Sequence, residues 1–238
     1  VLTVVVAIAA FVHIELLARD RRTRSLALAR PLAIGGIVLC LLTLVDLSYA
    51  SWWLGGLDLG VVASCCSTGA DAAAAGVGER GAAAGPRVFV TVLSLVVALA
   101  AIVLAVVGTR RPRRGLAVAV GALAAVLLPS GALAIVLEVA PHVYEVPHHR
   151  CPYCLLRGDA WYLGYPLFGA LIVGVTSAVG AAIGAVLARR AEGEPDPFPA
   201  FAAPALSRTA VALALALALA AFPVIRYAWV SDGAALFR

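Results

Sequence analysis

Lysine, asparagine, glutamine and methionine are absent from this chain of 238 residues, and charged side chains make up only 13% of it. So little polar surface excludes a soluble domain of this size. An apolar content of 63% and a mean hydropathy of +1.02 point instead to a polytopic membrane protein. With lysine missing, every basic residue other than histidine is arginine, which reflects a GC-rich genome and carries no mechanistic signal. The missing methionine fits a GTG start read as Val1 or a trimmed N-terminus. A pI near 9.2 would suggest nucleic acid in a soluble protein. Here the arginines flank apolar runs, so membrane topology accounts for them and no nucleic-acid partner is expected.

A membrane-crossing helix needs about 20 apolar residues, and six runs are candidates: 1–18, 32–54, 88–108, 115–137, 161–188 and 209–225. The sixth, "TAVALALALALAAFPVI", alternates as a strand would, but an open strand cannot satisfy its backbone in lipid. The predicted fold class is therefore all-α, an integral membrane protein with six transmembrane helices. Arg19, Arg21, Arg22, Arg24 and Arg30 follow the first run, Arg110, Arg111, Arg113 and Arg114 the third, and Arg189, Arg190 and Arg208 the fifth. All three segments then fall on one side, which the positive-inside rule makes cytoplasmic. Both chain ends are expected on the outer, periplasmic side of a bacterial inner membrane, with Trp52, Trp53, Trp161 and Tyr162 at the outer boundary.

No basic stretch precedes the first run and an arginine cluster follows it, the wrong order for a signal peptide. Pro129 predicts a kink in the fourth run, and Gly180 with Gly184 forms a GxxxG pair suited to close helix approach. The Ala/Gly-rich stretch 69–86 reads as unstructured, and the Pro-rich 191–205 as a cytoplasmic linker that cannot continue a helix. The predicted organisation is an N-terminal helix and basic inner loop (1–31), a four-helix core with outer cysteine loops (32–188), a linker (189–208), and a C-terminal helix with a short outer tail (209–238).

Cys40 lies within the second run, where a buried cysteine acts as a small hydrophobe. Cys65, Cys66, Cys151 and Cys154 all fall on the outer side, where thiols form disulfides, bind metal or carry redox chemistry. The second pair sits in "HHRCPYCLL", residues 148–156. If Cys151 caps the fifth helix, Pro152 takes its first position, where a missing N–H costs nothing, and Cys154 falls in the first turn on the same face. The positive end of the helix dipole, with Arg150 and Arg157 beside it, would favour a thiolate, which a disulfide exchanger needs. Soluble thiol oxidoreductases use similar tetrapeptides, but the chain has no room for an appended domain of that kind.

Residues 57–67, "LDLGVVASCCS", sharpen this reading. They resemble the lumenal loop of the vitamin K epoxide reductase family, in which a Cys-Asp pair is followed by five residues and then Ser-Cys. Asp58, the gap 59–63, Ser64 and Cys65 keep that spacing, and Leu57 stands where the family has its first loop cysteine. Cys66 is the candidate replacement. The order of parts is similar too, over about 32–188, with "RRPRR" in the short inner turn and Cys151/Cys154 opening the last helix of the core. The resemblance implies a four-helix bundle, formed by spans two to five, that encloses a quinone, either ubiquinone or menaquinone. It implies that Cys154 passes electrons to the quinone, that Cys151 exchanges with the loop, and that Cys65 accepts electrons from a partner. That partner would be a separate thioredoxin-like or dithiol protein on the outer side.

Two other readings use the same residues. His148, His149, Cys151 and Cys154, with His142 nearby, offer soft ligands for Cu(I), Zn(II) or Hg(II), although the paired spacing of a zinc site is missing. A structural membrane subunit would use a Cys65–Cys151 type of bridge only to pin loop to helix. In the redox reading Asp46, in the outer half of the second run, would exchange a proton with quinone, and otherwise makes a hydrogen-bonded helix contact; Tyr153 and Tyr162 would stack on the quinone or line the membrane interface. His142, His148 and His149 read as solvated loop residues, and Glu138 and Glu145 as loop residues without further signal.

Overall fold

The computed structural model of the chain describes residues 2–20, 29–55, 84–147, 149–187, 196, 198–233 and 236–237. Among them every regular element is a helix. These are α1 (Leu2–Asp20), α2 (Ala29–Gly55), α3 (Ala84–Arg110), α4 (Arg114–Ala134), α5 (Ala140–Tyr144), α6 (Gly164–Leu187) and α7 (Phe198–Val230). A π-helical turn, Ile135–Val139, joins α4 to α5, and two 3-10 turns, Pro152–Leu156 and Gly158–Ala160, precede α6. Within the described residues, five stretches are long and apolar enough to cross a membrane: Leu32–Trp52, Gly85–Arg110, Arg114–Tyr144, Gly164–Leu187 and Phe198–Val230. The chain is thus an all-helical, multi-pass membrane protein, because a helix satisfies its own backbone where lipid offers no partner.

Three boundaries differ from expectation. The fourth span runs on to Tyr144 through the π turn, so Glu138 is a helical residue and not part of a loop. The fifth spanning helix begins at Gly164 and not near Cys151. Bulky Trp161 and Tyr162 are both left-handed, at φ 53° and 54°, and no α-helix runs through such a pair. The last helix starts at Phe198, inside the stretch read as a linker. Pro199 occupies its first turn, where no amide proton is needed, and Asp196 Oδ1 accepts the Phe198 N–H at 3.0 Å.

The chain divides into two compact units. The first comprises Val1–Val62, Val103–Ala122 and Ile172–Ala210. In it α1 packs on α2, and the His13 ring approaches Gly35 and Gly36. Val12, Leu16 and Leu32 form a core with Val179, Ile183 and Phe201. Glycines allow close approach: a Cβ on Gly121 would overlap Ala182, and one on Gly184 would overlap the Phe201 ring. Arg114 ties three segments together, with Nη1 donating to Ala185 O at 3.1 Å, Nη2 to Asp196 Oδ1 at 3.0 Å, and its guanidinium 5.3 Å from the Phe198 ring centre. It thereby satisfies a carbonyl near the end of α6, one of the groups a helix leaves unpaired.

The second unit comprises Ala63–Ile102, Leu123–Leu171 and Val211–Arg238. Its larger core joins Ile135, Val139, Ala140 and Val143 to Leu155, Leu163, Leu167 and Ala216. A smaller one joins Val97, Ala98 and Ala101 to Leu127 and Leu213.

Candidate functional site

Cys151 and Cys154 sit on the 3-10 turn Pro152–Leu156, in the second unit. Cys151 has an extended backbone (φ −88°, ψ 105°) and Pro152 follows at the first helical position, as the residue order predicts. The turn is five residues long and separate from α6, which corrects the expectation that the pair opens a spanning helix. The dipole of α6 acts within its own first turn, and that turn begins ten residues after Cys154. Arg157 is itself drawn toward Asp159, with Nε 3.7 Å from Oδ1.

Hydrogen bonds hold the turn. The Cys154 N–H donates to Cys151 O at 3.3 Å, and the Cys154 carbonyl accepts from Arg157 N at 3.0 Å and from the Tyr144 hydroxyl at 2.8 Å. The Tyr144 ring lies against His149, centres 4.1 Å apart. Cys154 is 5% exposed and Cys151 half-buried, while Leu155 is fully buried. A residue that opens to solvent is thus followed, three positions on, by one that faces the protein interior.

The same unit forms a half-open cavity of about 290 Å³. Its walls come from α3, α4 with its π turn, α6 and α7, and almost all are apolar, including Ala98, Leu127, Leu167, Leu171 and Leu213. Ile135, Val139, Leu167 and Ala216 line it and also belong to the core that holds Leu155. The turn bearing the cysteines is therefore fastened to the cavity wall. Of the described α2 side chains only Leu32 is buried, in the core of the first unit. The last helix, expected to lie outside the core, supplies residues from Leu213 to Ile225.

Glu138 lines the cavity from the π turn, and its Oε2 accepts from Arg87 Nη1 at 3.2 Å. His142 is 6% exposed, which corrects its reading as a solvated loop residue. Its Nδ1 lies 2.6 Å from the Glu138 carbonyl oxygen, a contact that assigns the proton to Nδ1, and 3.8 Å from Glu138 Oε1. Tyr227 and Phe237 pack edge-on against the imidazole at 5.5 and 5.6 Å, and the Arg87 guanidinium stacks over Phe237 at 3.5 Å. A π turn inside a helix and an ionisable side chain inside a span both recur at functional sites. Sequence reasoning missed this cluster because it ended the fourth span at residue 137. A glutamate directly following "GALAIVL" was the signal available.

Cys65, Cys66 and His148 lie outside the described residues. Asp46 is half-buried on α2, in the first unit. Tyr153 and Tyr162 are 73% and 59% exposed and do not line the cavity. Among the described residues no group of three His, Cys, Asp or Glu side chains is close enough to hold a metal ion. No protein-family model, curated protein or solved structure matches the chain.

Proposed function

We propose that this protein is a bacterial inner-membrane thiol:quinone oxidoreductase, similar in layout to the vitamin K epoxide reductase family. It crosses the membrane six times, α1 included, with its arginine-rich segments in the cytoplasm and its cysteines on the periplasmic side. A thioredoxin-like partner dithiol reduces Cys65/Cys66, that pair reduces Cys151/Cys154, and the latter passes two electrons to a quinone in the cavity. Each exchange breaks one disulfide and forms another. In the last step the Cys151/Cys154 dithiol becomes a disulfide, and quinone takes up two electrons and two protons.

One observation carries the reading: the CPYC turn is built into the core that walls an apolar cavity inside spanning helices. Cys154 is buried on that turn, while half-buried Cys151 remains open to exchange. The cavity is near the lower end of the size range of ligand pockets, about 300 Å³, which suits a single ring with the start of its tail.

The test is reduction of a short-tailed quinone by dithiothreitol, with the full chain in lipid nanodiscs. Cys151→Ser and Cys154→Ser are each expected to lose at least about 100-fold in rate, because serine cannot form the disulfide. Cys40→Ser, on an exposed face of α2, is expected to match the wild type. Wild-type turnover in Cys154→Ser would end the proposal.

A further inference from the structure

The cavity is polar at only a few points, and those points are not equivalent. Ser94 lines it but donates its hydroxyl back to Val90 O at 2.8 Å. Away from the cavity lining, Ser130, Thr176 and Thr209 bond in the same way to carbonyls four residues earlier. Thr91 is the exception on the cavity wall. Its Oγ1 is buried and has no hydrogen-bond partner among the described residues, although the same backbone bond is the ordinary choice for a helical threonine. A buried hydroxyl left this way is costly unless something else in the site satisfies it.

Thr91 lies one helical turn beyond Arg87 on α3, and Arg87 holds Glu138 across from it at 3.2 Å. A clamp between α3 and the π turn would account for the ion pair alone. It does not account for a partnerless hydroxyl on the same wall, nor for a carboxylate that forms part of the cavity lining. Arg87 is stacked on Phe237 and engages Oε2, so Oε1 retains acceptor capacity. Farther along α3 and α4 the lining is wholly apolar, at Ala98 and Leu127. The cavity thus has a polar end and a hydrocarbon end, as an amphiphile with a small oxygen-bearing head requires.

We infer that Thr91 and Glu138 form the seat for the quinone head group, and that Glu138 delivers one of the two protons taken up when it is reduced. This inference rests on the redox reading above. The Thr91 hydroxyl donates to a carbonyl oxygen of the ring. The Cys151/Cys154 dithiol supplies two electrons and releases its two protons as it closes to a disulfide. Glu138, paired with Arg87, takes up one of those two protons and hands it to a ring oxygen, and the other reaches the second ring oxygen through water, so that quinone, two electrons and two protons give the quinol. Arg87 and His142 are positioning residues: one holds Oε2 and the other the backbone carbonyl of the π turn.

The experiment uses the full chain in nanodiscs with decylubiquinone as the probe. It reads binding by tryptophan quenching and turnover with dithiothreitol. Glu138→Gln keeps the shape and is expected to bind within about threefold of the wild type while turning over about 100-fold more slowly, the size of a lost general acid. Thr91→Val is expected to weaken binding about fivefold, and Ala98→Phe, which fills the hydrocarbon end, to abolish it. Wild-type turnover in Glu138→Gln overturns the proton role, and wild-type binding in both Thr91→Val and Ala98→Phe overturns the seat. Failure of the underlying redox reading looks different: there, turnover survives in Cys154→Ser whatever the cavity variants do.

Discussion

At the scale of single residues, Tyr144 matters more than its position suggests. Its hydroxyl is one of two donors to the Cys154 carbonyl, so it fastens the cysteine turn to the end of the fourth span. Tyr144→Phe keeps the ring packing against His149 and removes one hydrogen bond, worth about 1 kcal/mol. Local opening of the turn is then expected about five times more often, and alkylation of buried Cys154 should accelerate by that factor. Mass-spectrometric alkylation kinetics on the two proteins measure this, and equal rates would show that the Arg157 amide alone holds the turn. The cysteines were legible as candidates because CPYC is a local pattern. Glu138, Arg87 and His142 were not, because 51 residues separate the first two and only folding makes them partners.

At the scale of elements, small residues decide how closely helices approach. A Cβ on Gly121 would overlap Ala182 and come within 3.3 Å of the Ala178 carbonyl, whereas one on Gly115 meets nothing within 4 Å. Alanine has the better helix propensity by about 1 kcal/mol at both sites. At Gly121 the overlap outweighs it, since forcing a methyl into a packed interface costs about 1–3 kcal/mol. Gly121→Ala is therefore expected to lower the unfolding midpoint in detergent and Gly115→Ala to leave it unchanged or raise it. Thermal scans of both variants check the sign. The GxxxG pair in the fifth run pointed to the right helix, and Gly184 does meet a neighbour closely. That neighbour is the Phe201 ring, on a stretch whose prolines had argued against any helix.

At the scale of the whole molecule, the exposed apolar side chains carry the membrane assignment. Ile34, Ile37, Leu41, Leu44, Val45 and Leu47 on α2 are all more than half exposed, which water would not tolerate over so long a helix and lipid does. The proposed orientation puts Pro112, amid the arginines between α3 and α4, in the cytoplasm, and Pro147, beside the cysteine turn, outside. With the four outer cysteines changed to serine, Pro147→Cys is expected to react with an impermeant maleimide in intact cells. Pro112→Cys should react only after permeabilisation. The reverse pattern would invert the topology and remove the cysteines from the oxidising side.

The sequence by itself determined that the chain is helical and membrane-embedded, because backbone satisfaction in lipid is a local demand that any long apolar run must meet with its own hydrogen bonds. It did not determine which helices share a core. In a spanning helix the face toward lipid and the face toward protein are both apolar, so periodicity carries almost no information about partners. Only the tertiary structure decided that α7 helps to wall the cavity, that the fourth span continues through a π turn to bring Glu138 to Arg87, and that the cysteine pair stands on a separate turn. Those outcomes depend on steric fit and ion pairing between segments far apart in the chain.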